Sequence, residues 1–324
     1  MSSIVISGWG ILHPWGTGEE SIWQAWSTRK NTLTSLPSFP SLTSSQVVGS
    51  LLTHRYPSLS GRQPHFLHLL LEASQRALDR ACLSVKEREE SGLYLSSQIC
   101  PVACQEADVL LERAIPPTEE SSLCQSWHTL PPFQYIRQMP TAALHFLSSA
   151  FSLHGGGHPL FSFDCGGMHA LVQACHALID RVFPSLLLAS VDTPFSPHNY
   201  LALCKSLSPH LPFFPFPPLS EGACALVLEG EESARKRAAP RWGTLSLSES
   251  KEAICSPFSS SPWSEPSLER THLLTGWLPS GSLLWDLLLS LFWLRKEQRE
   301  PPSLSLTVPS PEGKLWGSVQ LSLS

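Results

Sequence analysis

Two short apolar runs set the tightest limit on the fold. Leu186–Val191 (LLLASV) and Ala223–Leu228 (ACALVL) carry almost nothing polar. A strand with one wet face alternates apolar and polar residues. Runs like these belong to strands covered on both faces, at the centre of a sheet flanked by helices. The helices are legible as well. His65–Leu83 places Phe66, Leu69, Leu70, Ala73, Ala77, Leu78 and Ala81 at helical spacing. Thr141–Phe151 and Leu283–Lys296 read as helices, and so does Gly166–Val182, with Met168, Leu171, Cys175, Leu178 and Ile179 inward. Strands are expected at Ile4–Ser7, Gly92–Ser96, Leu160–Phe163, Thr244–Leu247 and Ser318–Leu323, with shorter helices at Glu19–Ser27 and Glu231–Ala239. Strands alternating with helices predict an α/β fold with a largely parallel sheet.

Several function classes are excluded early. A net charge of −5 and the lack of a Lys/Arg stripe with interleaved aromatics argue against nucleic-acid binding. The one basic cluster, Arg235–Arg237, reads as the cap of a helix end. The longest apolar stretch, Leu283–Leu294, has twelve residues and contains Asp286 and Ser290. A membrane span needs about 20 apolar residues, so this stretch reads as a buried helix. Nine cysteines are scattered with no CxxC pair, and CPVAC at 100–104 has no partner pair at zinc spacing. No metal is expected. The N-terminus, MSSIVISGWG, lacks the basic and long apolar regions of a secretion signal. Reduced thiols and a cytoplasmic location are therefore expected. Glycines 8, 10, 16 and 18 read as a turn after the first strand and do not fit the dinucleotide pattern GxGxxG. Stretches rich in Ser and Pro at Ser35–Ser45, Leu207–Ser220, Ser256–Ser267 and Pro301–Pro311 read as loops.

The segment Phe161–Ala174, FSFDCGGMHALVQA, carries the chemical question. An apolar strand ends at Asp164 and Cys165, two glycines follow (Gly166, Gly167), and a helix begins with His169 in its first turn. Such a junction can present a nucleophile, because a helix N-terminus stabilises a thiolate. Cys165 and His169 are four residues apart and can share a helix face. HGGGHP at 154–159 reads as the turn leading into the strand.

The order of the motifs resembles the β-ketoacyl synthases. IVISGWGILHPWGTGEESIWQAW resembles their first strand, turn and helix. RQPHFLHLLLEASQRAL with SGLYLSS resembles the next helix and strand, and LLLASVDTPFSPHNYLALCKSLS the strand and loop after the nucleophile helix. LSEGACALVLE is similar to their EGA strand, and TGWLPSGSLLWDLLLSL to their GHxxGAxG loop and helix. The resemblance implies a thiolase-like fold layered α/β/α/β/α, with a ketoacyl-synthase-like half at 1–240 and a shortened C-terminal half at 241–324. Active members place a cysteine at the junction in a TACSSG-like context, two histidines that stabilise a carbanion, and a supporting lysine. Aligned without gaps from His169-Ala170-Leu171, the nucleophile position falls on Asp164. The junction DCGGMHAL then resembles QAGGLDAL of the chain-length factors, the inactive partners of ketosynthases, and a one-residue shift would put Cys165 there. No PHGTGT-like segment follows the EGA strand, where His272 is the only histidine. The second histidine position after Gly276 is Trp277, the lysine position is His272, and the GFGG gating loop is reduced to Leu315–Ser318.

The resemblance therefore implies a non-catalytic subunit that pairs with an active β-ketoacyl synthase and helps shape an acyl tunnel, with Phe133, Tyr135 and Phe146 as tunnel-lining candidates and the FFPFPP loop at 213–218 as another. It implies no cofactor in this chain. Acyl-phosphopantetheine on an acyl carrier protein would be presented to the partner. Two other readings stay open: a Cys165-dependent acyltransferase or thioesterase, and a homodimeric scaffold for a carrier protein.

Overall fold

The computed structural model describes residues 3–35, 48–50, 65–97, 140–161, 166–195, 218–248, 282–297, 303–309 and 315–322. Eleven strands among them are β1 Ile4–Leu12, β2 Thr34–Ser35, β3 Val48–Ser50, β4 Gly92–Ser97, β5 Gly157–Phe161, β6 Ser185–Asp192, β7 Leu219–Ser220, β8 Gly222–Gly230, β9 Gly243–Ser248, β10 Ser303–Pro309 and β11 Leu315–Ser322. The helices are α1 Glu19–Ser27, α2 His65–Ala81, α3 Val85–Glu90, α4 Pro140–Phe151, α5 Gly166–Ile179, α6 Glu231–Lys236 and α7 Ser282–Glu297. Eight strands form one sheet in the order β10-β11-β9-β1-β8-β6-β4-β5, and β2, β3 and β7 form a small second one.

The central strands are buried on both faces, as their sequences require. Along β6, Leu186 and Leu188 join a core formed with α5, α7 and α1, while Leu187, Ala189 and Val191 join a second core under α2 and α4. β8 divides in the same way: Cys224, Leu226 and Leu228 face one core, and Ala223, Ala225 and Val227 the other. Three layers are thus built: α2 with α4, the sheet, and α5 with α7. The C-terminal strands join the ladder through β9, which pairs with both β1 and β11.

The expectation of a largely parallel sheet is corrected. Only β4 pairs in parallel in the large sheet, with β5 and with β6; β6–β8, β1–β8, β1–β9, β9–β11 and β10–β11 are antiparallel. The apolar runs report burial on two faces, and here that burial accompanies antiparallel as well as parallel pairing.

A second correction concerns Gly8 and Gly10, which lie inside β1 and not in a turn. A bulge between Ile6 and Gly8 shifts the register against β8. It turns Gly8, Gly10 and Leu12 toward α2, while Trp9 and Ile11 face the other core. A Cβ on Gly10 would lie 1.9 Å from the Ala73 carbonyl oxygen, and one on Gly8 2.1 Å from that of Ala77. The glycines let α2 approach the strand backbone directly. The turn itself lies at His13–Gly16, where the two residues exchange backbone hydrogen bonds and Gly16 has φ 139. The stretch at 301–311, expected as a loop, contains β10, and β5 begins at Gly157, earlier than expected, so that His158 sits in the strand.

Candidate functional site

The pairing registers gather one end of several strands. Ser97 at the end of β4 lies beside Phe161 of β5 and Val191 of β6; Asp192 pairs with Gly222 at the start of β8, and Ala223 with Leu12 at the end of β1. α5 begins five residues after β5 ends, so its N-terminus belongs to this end of the sheet. Gly166, Gly167 and Met168 are buried there, and His169 in the first turn is half-buried. Asp164 and Cys165 lie outside the described residues, as do His272, Gly276, Trp277, Phe133, Tyr135 and the phenylalanines of the FFPFPP loop. The structure therefore places Gly166, Gly167, His169 and Phe146 of the sequence candidates. Phe146 sits on α4, half-buried against the core under α2.

This end of the sheet also holds buried polar residues that sequence reasoning passed over. His13, Asp192 and Glu221 are all buried, and so is Asp286 on α7. The Trp15 backbone N–H donates to His13 Nδ1 at 3.0 Å, which leaves the proton of the neutral ring on Nε2. The His13 ring lies 3.7 Å from the Trp285 ring. Gly222, the glycine of the EGA motif, admits the same tryptophan: a Cβ there would lie 2.4 Å from Trp285 Cζ2. The signal for Asp192, Glu221 and Asp286 was available, since each is an acid adjoining or inside a run of apolar residues.

Two of the described thiols, Cys175 and Cys224, are buried and poor nucleophiles. Burial pushes the Cys175 thiol up to about 12, and burial together with the Asp192 charge pushes Cys224 well above the ordinary range. Cys82 is exposed and lies at the end of α2, away from this end of the sheet. Among the described residues there is no group of three or more His, Cys, Asp or Glu side chains placed to hold a metal ion. No described helix is long and apolar enough to cross a membrane.

A buried ion pair fixes the other end of β8. Arg237 donates from Nε to Glu229 Oε2 at 2.7 Å and from Nη2 to Glu229 Oε1 at 2.5 Å and to the Ala81 carbonyl at 2.8 Å. The last arginine of the RKR cluster thus stands at the end of α6, as expected, and its guanidinium joins β8 to the end of α2. Its bonds to Glu229 raise the Arg237 pKa further.

No family model matches the sequence, and no curated protein matches it. Solved structures do resemble the chain over its whole length. A type II polyketide ketosynthase solved in complex with its acyl-carrier protein (AntDE:AntF) is 16% identical, with 100% of each chain covered and a TM-score of 0.67. A β-ketoacyl synthase from Burkholderia phymatum STM815 is 14% identical, with 100% of each chain covered and a TM-score of 0.67. The ishigamide ketosynthase/chain length factor is 14% identical, with 99% of each chain covered and a TM-score of 0.70. Together with the order of strands and helices, these likenesses establish that the chain has the thiolase-like fold of the ketosynthases.

Proposed function

We propose that this chain is a non-catalytic, chain-length-factor-like subunit that pairs with an active β-ketoacyl synthase in type II polyketide, polyene or fatty-acid-like biosynthesis. The observation that carries the reading is the histidine content after the EGA strand. From residue 211 to the end of the chain the sequence holds one histidine, His272. Decarboxylative condensation in the resembled family uses two histidines from that region to stabilise the carbanion, and one cannot replace both. Trp277 stands where the second would be, and Asp164 is the gap-free counterpart of the nucleophile. A carboxylate does not form the acyl thioester that a thiolate does.

In this reading the chain binds no cofactor of its own. The partner receives the acyl-phosphopantetheine of a carrier protein, and Phe133, Tyr135 and Phe146 contribute bulk to the shared tunnel. Activity and product length test the reading. The chain alone is expected to condense nothing, and its complex with the synthase to make a product whose length increases when Phe133, Tyr135 or Phe146 is cut to Ala. Condensation by the isolated chain, abolished by Cys165→Ala, would overturn it.

A further inference from the structure

The turn that closes the end of β1 is built around a neutral histidine. His13 and Gly16 exchange backbone hydrogen bonds at 3.0 and 2.8 Å. Trp15 ties the same turn to the residues just beyond α1, donating from Nε1 to the Lys30 carbonyl at 2.7 Å. Inside the turn the Trp15 backbone N–H donates to His13 Nδ1 at 3.0 Å. The His13 side chain is fully buried, with its ring 3.7 Å from that of Trp285 and 5.1 Å from that of Trp15. An imidazolium carries a hydrogen on both nitrogens and accepts no bond. Protonating His13 therefore sets two donors against each other at the Trp15 amide, in a place where burial already disfavours the charge.

We infer that this turn is an acid-opened latch on the end of the sheet: it closes on neutral His13 and opens when the ring takes a proton. The surroundings give the charged ring a second place to go. One step beyond the Leu12–Ala223 pair, His13 comes beside Gly222, which pairs with Asp192 and follows Glu221. Trp285 covers Gly222, and Asp286 adjoins it on α7. Asp192, Glu221 and Asp286 are buried, and as carboxylates they attract an imidazolium. None of them restores the lost acceptor, because no orientation of a protonated ring accepts the Trp15 N–H. They favour a ring turned out of the latch over one kept in it. The remaining titratable groups around β1 do not oppose this. Cys224 keeps its proton, Arg80 is engaged with the Trp9 carbonyl and ring, and Glu19 and Glu20 of α1 face Arg295 and Lys296. His169, on α5, is a second histidine at this end, and substitution at position 13 separates the two. A closed turn that admits only the neutral ring loses ground to the open one by up to about tenfold per pH unit below the ordinary histidine value of about 6.5. Opening frees the Trp15 amide and the ring packed on Trp285, so the end of the sheet nearest the junction helix loosens in acid.

The latch does not depend on what the chain pairs with, and its test uses the full chain by itself. Hydrogen exchange is followed at single-residue resolution from about pH 7.5 to about pH 5, with rates corrected for intrinsic exchange. Protection of the Trp15 N–H is expected to fall by about tenfold per pH unit below about 6.5. Protection of the Val182 N–H, which is bonded to the Ala177 carbonyl at the far end of α5, is expected to stay level. His13→Asn keeps a side-chain oxygen to accept the Trp15 N–H and does not titrate, so its profile is expected to be flat. His13→Phe keeps a ring without an acceptor, and the Trp15 N–H is expected to lose its protection at every pH. Thermal unfolding at neutral pH confirms that each variant folds, and the wild-type profile decides alone if one does not. Wild-type protection that is independent of pH, a parallel fall at Val182, or a slope that survives in His13→Asn would overturn the inference. The last result would assign the acid response to groups other than His13.

Discussion

Replacing Arg237 by Met should be among the most damaging single changes available in β8 and its surroundings. Glu229 is wholly buried and the Arg237 side chain is 14% exposed, so solvent does little to screen the pair. The substitution keeps most of the aliphatic volume but strips Glu229 of both its guanidinium donors and the Ala81 carbonyl of a third bond. Breaking a buried pair by removing one partner costs ~3–5 kcal/mol, because the remaining charge stays buried without compensation. The double variant Glu229→Leu, Arg237→Met removes both charges and leaves an apolar contact, which is expected to lie within about 1.5 kcal/mol of wild type. The two positions should therefore show a coupling of at least ~2 kcal/mol in a double-mutant cycle followed by urea unfolding. A cost below about 1 kcal/mol for Arg237→Met, or a double variant as unstable as the single one, would refute the reasoning and make the pair an ordinary surface contact.

Three other outcomes follow from the same structure. Gly10→Ala would place a methyl 1.9 Å from the Ala73 carbonyl and force α2 away from β1, a loss of about 3 kcal/mol in urea unfolding, whereas Gly18→Ala, whose methyl would meet only the Ser21 hydroxyl at an ordinary 3.9 Å, should cost far less. Stability should fall as pH rises from 9 toward 12: the unfolded Cys175 thiol ionises near 9.0 while the folded one keeps its proton until about 12, so the native state binds more protons in that window. The slope approaches ~1.4 kcal/mol per pH unit for that thiol, and Cys175→Ala should flatten it. Iodoacetamide should label Cys82 in the native protein and reach Cys175 and Cys224 only after denaturation, as mass spectrometry would show. Trp277→His alone should not give the chain condensing activity, measured as product formation from acyl and malonyl carrier protein, because the second histidine is still missing.

How far the sequence could be read depended on what each residue pattern reports. LLLASV and ACALVL correctly marked the central strands, because two-sided burial leaves a direct trace in composition. They were silent on direction, since the same burial accompanies β6 pairing in parallel with β4 and antiparallel with β8. Gly8 and Gly10 resembled turn glycines because their actual cause, the Ala73 and Ala77 carbonyls of α2, lies about 65 residues away in sequence. Prolines at 301, 302, 309 and 311 masked β10, although Leu304, Leu306 and Val308 alternate with Ser and Thr between them. At the site, the glycines and His169 of the DCGG junction were legible as a strand-to-helix transition. Asp192, Glu221 and Asp286 left a trace as acids adjoining or inside apolar runs, whereas His13 did not, because its ring is enclosed by Trp15 and by Trp285 of α7, about 270 residues away in sequence.

The native mass of the co-expressed species decides whether the chain is one half of a functional pair. The chain is produced alone and together with an active β-ketoacyl synthase from the same biosynthetic system, and the purified material is weighed by native mass spectrometry. A functional pair gives a stable 1:1 complex and little well-behaved protein when the 35.7 kDa chain is made alone. A stable homodimer that ignores the synthase would contradict it.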